Sequence, residues 1–156
     1  SVVLDLMIHD IDIILALVDS EVERIDASGT TVLTQGTDIA NARLLFKNGC
    51  VANVTASRIS MKMERKMRLF RPSSYISVDF QNKVLTKYRT GKKEMFPGIP
   101  EIETEESVFE SGDALLEEIK HFVNCIQTGE NPLVSGEAGR RALATAIQIN
   151  RLLGDK

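Results

Sequence analysis

The stretch Asp38-Ile-Ala-Asn-Ala-Arg-Leu-Leu-Phe-Lys-Asn-Gly-Cys-Val-Ala-Asn-Val-Thr-Ala-Ser-Arg58 decides the fold. Apolar and polar residues alternate on both sides of Asn48-Gly49, which is the period of a half-buried strand. Asn-Gly between two such runs is the strongest short-range hairpin signal, because both residues tolerate positive φ. Upstream, residues 21–32 are rich in β-branched side chains and predict a strand, followed by a turn around Gln35-Gly36. Downstream, strands are expected at residues 65–70, 75–80 and 83–88, separated by the turn formers Arg71-Pro-Ser-Ser74 and Gln81-Asn82. Residues 91–112 carry Gly91, Pro97, Gly98 and Pro100 and an acidic run from Glu101 to Glu110. They predict a long excursion with at most one short edge strand.

Two helices close the chain. Asp113 is placed to cap the first, which carries Leu115, Leu116, Ile119, Phe122, Val123 and Ile126 and stops at Gly129. Ser135 is placed to cap the second, with Ala142, Leu143, Ala146, Ile147 and Ile149 on the way to Leu153. The expected class is α+β: a largely antiparallel open sheet of about five or six strands with helices packed on one face.

The first 18 residues hold the polar clue. Ser-Val-Val-Leu-Asp-Leu-Met-Ile-His-Asp-Ile-Asp-Ile-Ile-Leu-Ala-Leu-Val predicts a helix buried on most sides. At roughly 100° per residue, Ser1, Asp5, His9, Asp12 and Ala16 share one wedge of roughly 80°. Burying two carboxylates and an imidazole without partners is costly, so this seam is expected to face a partner or a cleft holding a polar substrate. Asp10 points away from the seam, and His121 beside Phe122 reads as structural. A metal site from Asp5, His9 and Asp12 would need three ligands from one helix with no second histidine, which is a poor donor set.

Composition narrows the class. The chain has 156 residues, 43% hydrophobic and 26% charged, as expected of one soluble globular domain with a real core. A net charge of −3 argues against a general nucleic-acid binder. The apolar run is broken by Asp5, His9, Asp10 and Asp12, so it reads neither as a transmembrane helix nor as a signal peptide. Cys50 and Cys125 read as reduced thiols of a cytoplasmic protein. No G-x-G-x-x-G, P-loop or G-x-S-x-G is present. The chain opens without Met, one residue before the apolar run, as expected of a piece of a longer polypeptide.

Arg58, Lys62, Arg65, Lys66, Arg68 and Arg71 form a basic cluster opposed by Glu64. It reads as a solvated sheet face or a contact for the acidic 101–118 stretch, or as an anion site for a nucleotide-sugar diphosphate. Strand alternation prevents all six from converging on one phosphate.

Three motifs in this order carry a family resemblance. Asp5-Leu-Met-Ile-His9-Asp-Ile-Asp12 resembles the D-x-x-x-H-x-x-D helix of the Gfo/Idh/MocA oxidoreductases, the glucose-fructose oxidoreductase and inositol dehydrogenase family. The 38–58 hairpin resembles that family's F-x-N-G turn and small-residue strand. Asn131-Pro-Leu-Val-Ser-Gly-Glu-Ala-Gly139 resembles its P-x-x-x-G start to the last helix. The resemblance covers most of the chain and is to the C-terminal domain, so residues 1–156 are expected to be a substrate-binding and oligomerisation domain. It implies an N-terminal Rossmann domain that binds NAD or NADP, and a catalytic lysine in an E-K-P motif; neither is in this sequence. The implied reaction moves a hydride between nicotinamide and a secondary alcohol of a sugar, polyol or nucleotide sugar. The isolated chain is expected to be inactive.

Within that resemblance, His9 is the expected acid/base, since an imidazole titrates near neutrality. Asp5 is its expected catalytic neighbour, and Asp12 and Arg58 are expected substrate-binding residues. Cofactor-binding residues cannot be assigned, and no metal is expected. The expected partners are a sugar or nucleotide-sugar substrate and a second copy of the chain, as a homodimer or tetramer through the sheet face around Leu45 and Val54, with no nucleic acid and no membrane. The rival reading is a non-catalytic binding or scaffold domain of the same fold.

Overall fold

The computed structural model describes residues 1–110 and 112–154. The chain divides into two compact units: Ser1–Ser60 with the segment from Phe122 onward, and Met61–His121.

The first unit begins with one π-helical turn, Val3–Met7, that runs directly into α1, Ile8–Val18. Three antiparallel strands follow in spatial order β1-β2-β3: β1 is Val22–Thr30, β2 is Ile39–Phe46 and β3 is Val51–Ser57. The hairpin forms where Asn48-Gly49 predicts it. Gly49 alone takes positive φ, at 84°, and its N–H donates to the Phe46 carbonyl at 2.9 Å. Lys47, Asn48 and Gly49 therefore make a three-residue loop, a β-turn followed by a left-handed glycine.

Alternation sets the two faces of this sheet. On β2, Ala40, Ala42, Leu44 and Phe46 are buried, together with Ile25 on β1 and Val54 and Ala56 on β3. They meet Val3, Met7, Ile11 and Leu15, one stripe at four-residue spacing, and Ala142, Ala146 and Ile149 of α3, Gly136–Leu152. Burial of each large aliphatic or aromatic side chain here is worth about 1.5–3 kcal/mol. The first helix is thus buried along one stripe and not on most sides: Leu4, Leu6 and Leu17 are exposed. The opposite face of the sheet carries Ile39, Leu45 and Val51 at its two ends and polar residues between them. Asp26, Ser28, Asn41, Arg43, Asn53 and Thr55 line a shallow depression there, and Thr55 Oγ1 donates to Asn41 Oδ1 at 2.8 Å. Val54 lies on the helix-covered face, contrary to the expectation that it faces outward, because it pairs with Ala42 and shares its side of the pleat.

The second unit is an antiparallel sheet of four strands in order β4-β5-β6-β7: Lys66–Arg71, Ser74–Asp79, Val84–Phe96 and Ile99–Val108. The first three begin within one residue of their expected starts. The excursion expected at 91–112 is instead a long hairpin. Pro97-Gly98 closes it, with Gly98 at φ 80°, and the register shifts between Thr90 and Glu94 beside Gly91. Pro100 is tolerated because β7 is an edge strand. The acidic run is held by charge across the ladder, with Lys87 3.4 Å from Glu105 and Arg89 4.0 Å from Glu103. The class remains α+β and antiparallel; the strands number seven among the described residues and form two sheets.

α2 spans Ala114–Thr128, and Asp113 Oδ1 accepts from the Leu116 N–H at 3.1 Å as the sequence predicts. Gly129 ends it at φ 74°. Ser135 caps α3 through the Ala138 N–H at 3.2 Å.

Gly29 is fixed by close approach. A Cβ there would lie 2.7 Å from Thr37 Cγ2, 2.9 Å from the Ile39 carbonyl oxygen and 3.2 Å from Leu153 Cδ2. Backbone cannot yield cheaply, so Gly29→Ala is expected to lose about 1–3 kcal/mol. The check is a denaturant titration: the midpoint should fall with the slope unchanged.

Candidate functional site

The register of the β2–β3 hairpin builds the site. Ile39 pairs with Ser57, so one step further out Asp38 stands opposite Arg58. The Arg58 N–H donates to the Asp38 carbonyl at 3.0 Å, extending the ladder by one bond. By two-residue alternation, Asp38 and Arg58 sit on the same side as Ala40 and Ala56, the side covered by the first helix. Arg58 therefore reaches that helix: its Nη2 donates to Asp5 Oδ2 at 2.8 Å, and its Nε lies 3.8 Å from Asp38 Oδ1.

The two carboxylates differ in environment. The Asp38 side chain is fully buried. Its Oδ2 accepts the backbone N–H groups of Val32, Leu33 and Thr34 at 2.8, 2.7 and 2.9 Å, and its Oδ1 accepts the Thr34 hydroxyl at 2.7 Å. The Thr34 and Val32 amides and the Thr34 hydroxyl hold its carboxyl far below the usual carboxylate range, outweighing the opposing effect of burial. The Asp5 side chain is 60% exposed and Arg58 31%.

The expected site residues are then placed as follows. Asp5 sits inside the π-helical turn and is paired with Arg58, so these two are brought together. His9 follows four residues later on α1, exposed and without a hydrogen bond among the described residues. Asp5 and His9 are not joined by a hydrogen bond. Asp12 is half-buried and has no ion pair among the described residues. The π turn replaces the uniform helical rotation assumed from the sequence; such turns recur at functional sites. Among the described residues, no group of three or more His, Cys, Asp or Glu is placed to hold a metal ion.

The basic cluster is divided between the two units. Arg58 lies in the first unit and Lys62, Arg65, Lys66, Arg68 and Arg71 in the second. Arg58 is engaged by two carboxylates, Lys66 lies within 3.8 Å of both Glu64 and Asp79, and Arg65 covers the Phe80 ring at 4.7 Å. His121 is exposed on α2. Cys50 is exposed, Cys125 is buried, and they form no disulfide. No helix among the described residues is long and apolar enough to cross a membrane.

Asp38 is the member of this cluster to which sequence reasoning gave no role. The signal was available: a hairpin centred on Asn48-Gly49 places residues 38 and 58 opposite each other, and an acid facing an arginine at the end of a ladder is a pair.

Comparison with known proteins gives the family of this architecture. Residues 1–71 match the GFO/IDH/MocA C-terminal domain. The chain is 40% identical over 149 residues to a UDP-N-acetylglucosamine 3-dehydrogenase of Acidithiobacillus ferrooxidans, covering 96% of this chain and 47% of that protein. A solved structure of that enzyme superposes with a TM-score of 0.89 at 39% identity, over 97% of this chain and 48% of the other. A myo-inositol 2-dehydrogenase of Thermotoga maritima is 26% identical over 168 residues, covering all of this chain and 48% of that protein. The chain belongs to the GFO/IDH/MocA family and corresponds to its C-terminal domain. It spans about half the length of the curated relatives it matches.

The depressed carboxyl of Asp38 sets an acid limit on stability. Its ordinary value is 3.8 and the folded value is lower. The unfolded chain therefore takes up this proton first, and stability falls as pH drops below 3.8 toward the folded value. Above 3.8 the contribution is complete. Asp38→Asn should flatten this part of the stability–pH curve, as measured by denaturant unfolding at a series of acid pH values.

Proposed function

We propose that this chain is the substrate-binding domain of a longer NAD(P)-dependent oxidoreductase that moves a hydride between nicotinamide and a secondary alcohol, and that the domain alone is inactive. The observation that carries this reading is the 40% identity, over nearly the whole chain, to an enzyme named for a nucleotide sugar. It favours a nucleotide sugar over a free sugar or polyol as substrate.

The cofactor would be held mainly outside this chain. Both sheets are antiparallel, so neither offers the parallel-strand switch point and glycine-rich turn at which dinucleotides bind. NAD or NADP would be held by a Rossmann domain elsewhere in the longer protein. When bound, the nicotinamide accepts the hydride; the hydroxyl proton is left for the protein.

His9 is the residue of this domain suited to take that proton. It is exposed, its ring has no hydrogen-bond partner among the described residues, and a neutral imidazole accepts a proton from an alcohol within hydrogen-bond reach. Asp5, one turn earlier, presents Oδ1 to a neighbouring hydroxyl while Oδ2 stays on Arg58. Arg58 keeps its Nη1 donors for a substrate oxygen, and Asp12 lines the same helix further along. Binding a diol between an acceptor and a donor fixed by one ion pair orients the reacting carbon.

Self-association belongs to this reading. The polar ladder of Asn41, Arg43, Asn53 and Thr55 leaves one sheet face uncovered among the described residues, and such a face suits a hydrogen-bonded contact with a second copy. Light scattering of the full-length protein at micromolar concentration should give a dimer or tetramer mass; a monomer mass removes the interface.

The catalytic assignment is tested in the full-length protein with nicotinamide cofactor and UDP-sugars. His9→Ala should lower kcat by roughly 10²–10⁴-fold, the range for loss of a general acid/base. Turnover unchanged by His9→Ala would transfer the proton step to another group.

A further inference from the structure

We infer that Asp38 is a positioning residue for the Asp5–His9 face: its buried carboxylate holds Arg58 at the end of the β2–β3 ladder, and Arg58 fixes the Asp5 carboxylate one helical turn from His9. The kinetic consequence rests on the functional reading above, whereas the anchor rests on geometry alone.

Three charges stand in a row of alternating sign. At the inner end, Asp38 cannot swing, because three backbone N–H groups and a hydroxyl hold both of its oxygens. At the outer end, Asp5 is 60% exposed; its Oδ2 accepts from Arg58 at 2.8 Å, and the Ser1 amino group lies 3.7 Å away. Arg58 lies between them, tied to residue 38 twice: its backbone N–H on the Asp38 carbonyl at 3.0 Å, and its Nε 3.8 Å from Asp38 Oδ1. An arginine paired only with an exposed carboxylate is held weakly, because water screens the attraction and the long side chain keeps its rotamer freedom. A fully buried carboxylate is screened far less and fixes the guanidinium in place. Of the two acids, Asp38 is therefore the anchor and Asp5 the group being placed. The same Asp38 oxygens gather the backbone of residues 32–34, so the loop leading into β2 is locked to the same point.

The position of Asp5 follows from this chain of contacts. Its segment is a π-helical turn, whose backbone fixes the Cα–Cβ direction but leaves the rotamer of this exposed carboxylate open. The Arg58 bond at 2.8 Å supplies the missing constraint. Freeing Arg58 would loosen both the guanidinium and the Asp5 carboxylate that it holds.

The test uses the full-length protein. Asp38→Asn should lower kcat/KM with a UDP-sugar roughly 10–100-fold, the scale expected when groups around the reacting carbon are misplaced by about 1 Å. In an Arg58→Ala background the same substitution should cost nothing further, because the path through Arg58 is already cut. An equal, independent loss in both backgrounds would show a merely structural role and overturn the proposal. Asp38 also ties a loop, so Asp38→Asn puts folding at risk; a second measurement avoids it. In Asp5→Asn, an exposed position, the Arg58 Nε–H resonance should stay resolved and ordered by NMR, since Asp38 still holds the guanidinium. Its collapse to the position of a free arginine would overturn the anchor. Absence of UDP-sugar turnover in the unmutated protein counts against the functional reading alone, and the arginine resonance then decides the anchor.

Discussion

One buried carboxylate organises the first unit. Asp38 stands where the β2–β3 ladder ends, and its two oxygens accept every bond needed to turn residues 32–34 back toward the sheet. A buried anion without such donors would be driven to its neutral form. With four donors and a guanidinium nearby, it stays charged and becomes a fixed point. Thr37, its neighbour, accepts the Val2 N–H at 3.2 Å, so the start of the first helix is tied to the same place. The loop, the hairpin end and the first helix thus share one point of attachment. Gly29 is the steric counterpart: only a residue without a side chain lets Thr37 and the Ile39 carbonyl approach β1 this closely.

Local chemistry was legible in the sequence wherever it was strong. The Asn48-Gly49 turn, the Asp113 and Ser135 caps and the Gly129 stop all form as their residue types dictate. The β6–β7 hairpin was not legible, because Gly91, Pro97, Gly98 and Pro100 each break a strand when read alone. What overrides them is long-range. Lys87 and Arg89 meet Glu105 and Glu103 across the ladder, Pro100 sits on an edge, and Gly91 lies where the register slips. A window of a few residues contains none of those pairings.

The site was legible in part for the same reason. Four-residue spacing brought out Asp5 and His9, and the helix does present both on its exposed side. The expectation that the helix is buried on most sides came from counting apolar residues rather than asking how many its neighbours cover. The sheet covers one stripe, Val3, Met7, Ile11 and Leu15, and leaves Leu4, Leu6 and Leu17 outside. Arg58 was read as a free cation in a basic cluster, yet hairpin register commits it to two carboxylates before any ligand arrives. The information that separates it from Lys62 and Arg65 is its pairing position opposite residue 38, not its charge.

That commitment changes what the arginine can do. A lone guanidinium at a surface attracts any anion and discriminates little among them. Placed between two acids, Arg58 has its charge largely compensated, and what it offers a ligand is direction rather than net attraction. Neutral hydroxyl pairs, which need a donor and an acceptor at fixed spacing, are better matched to such a group than a phosphate, which needs uncompensated positive charge. Under the proposed function, this face suits the sugar portion of a substrate better than a diphosphate. In that reading His9, exposed on the next turn of the helix, is the group that takes a proton from one of those hydroxyls.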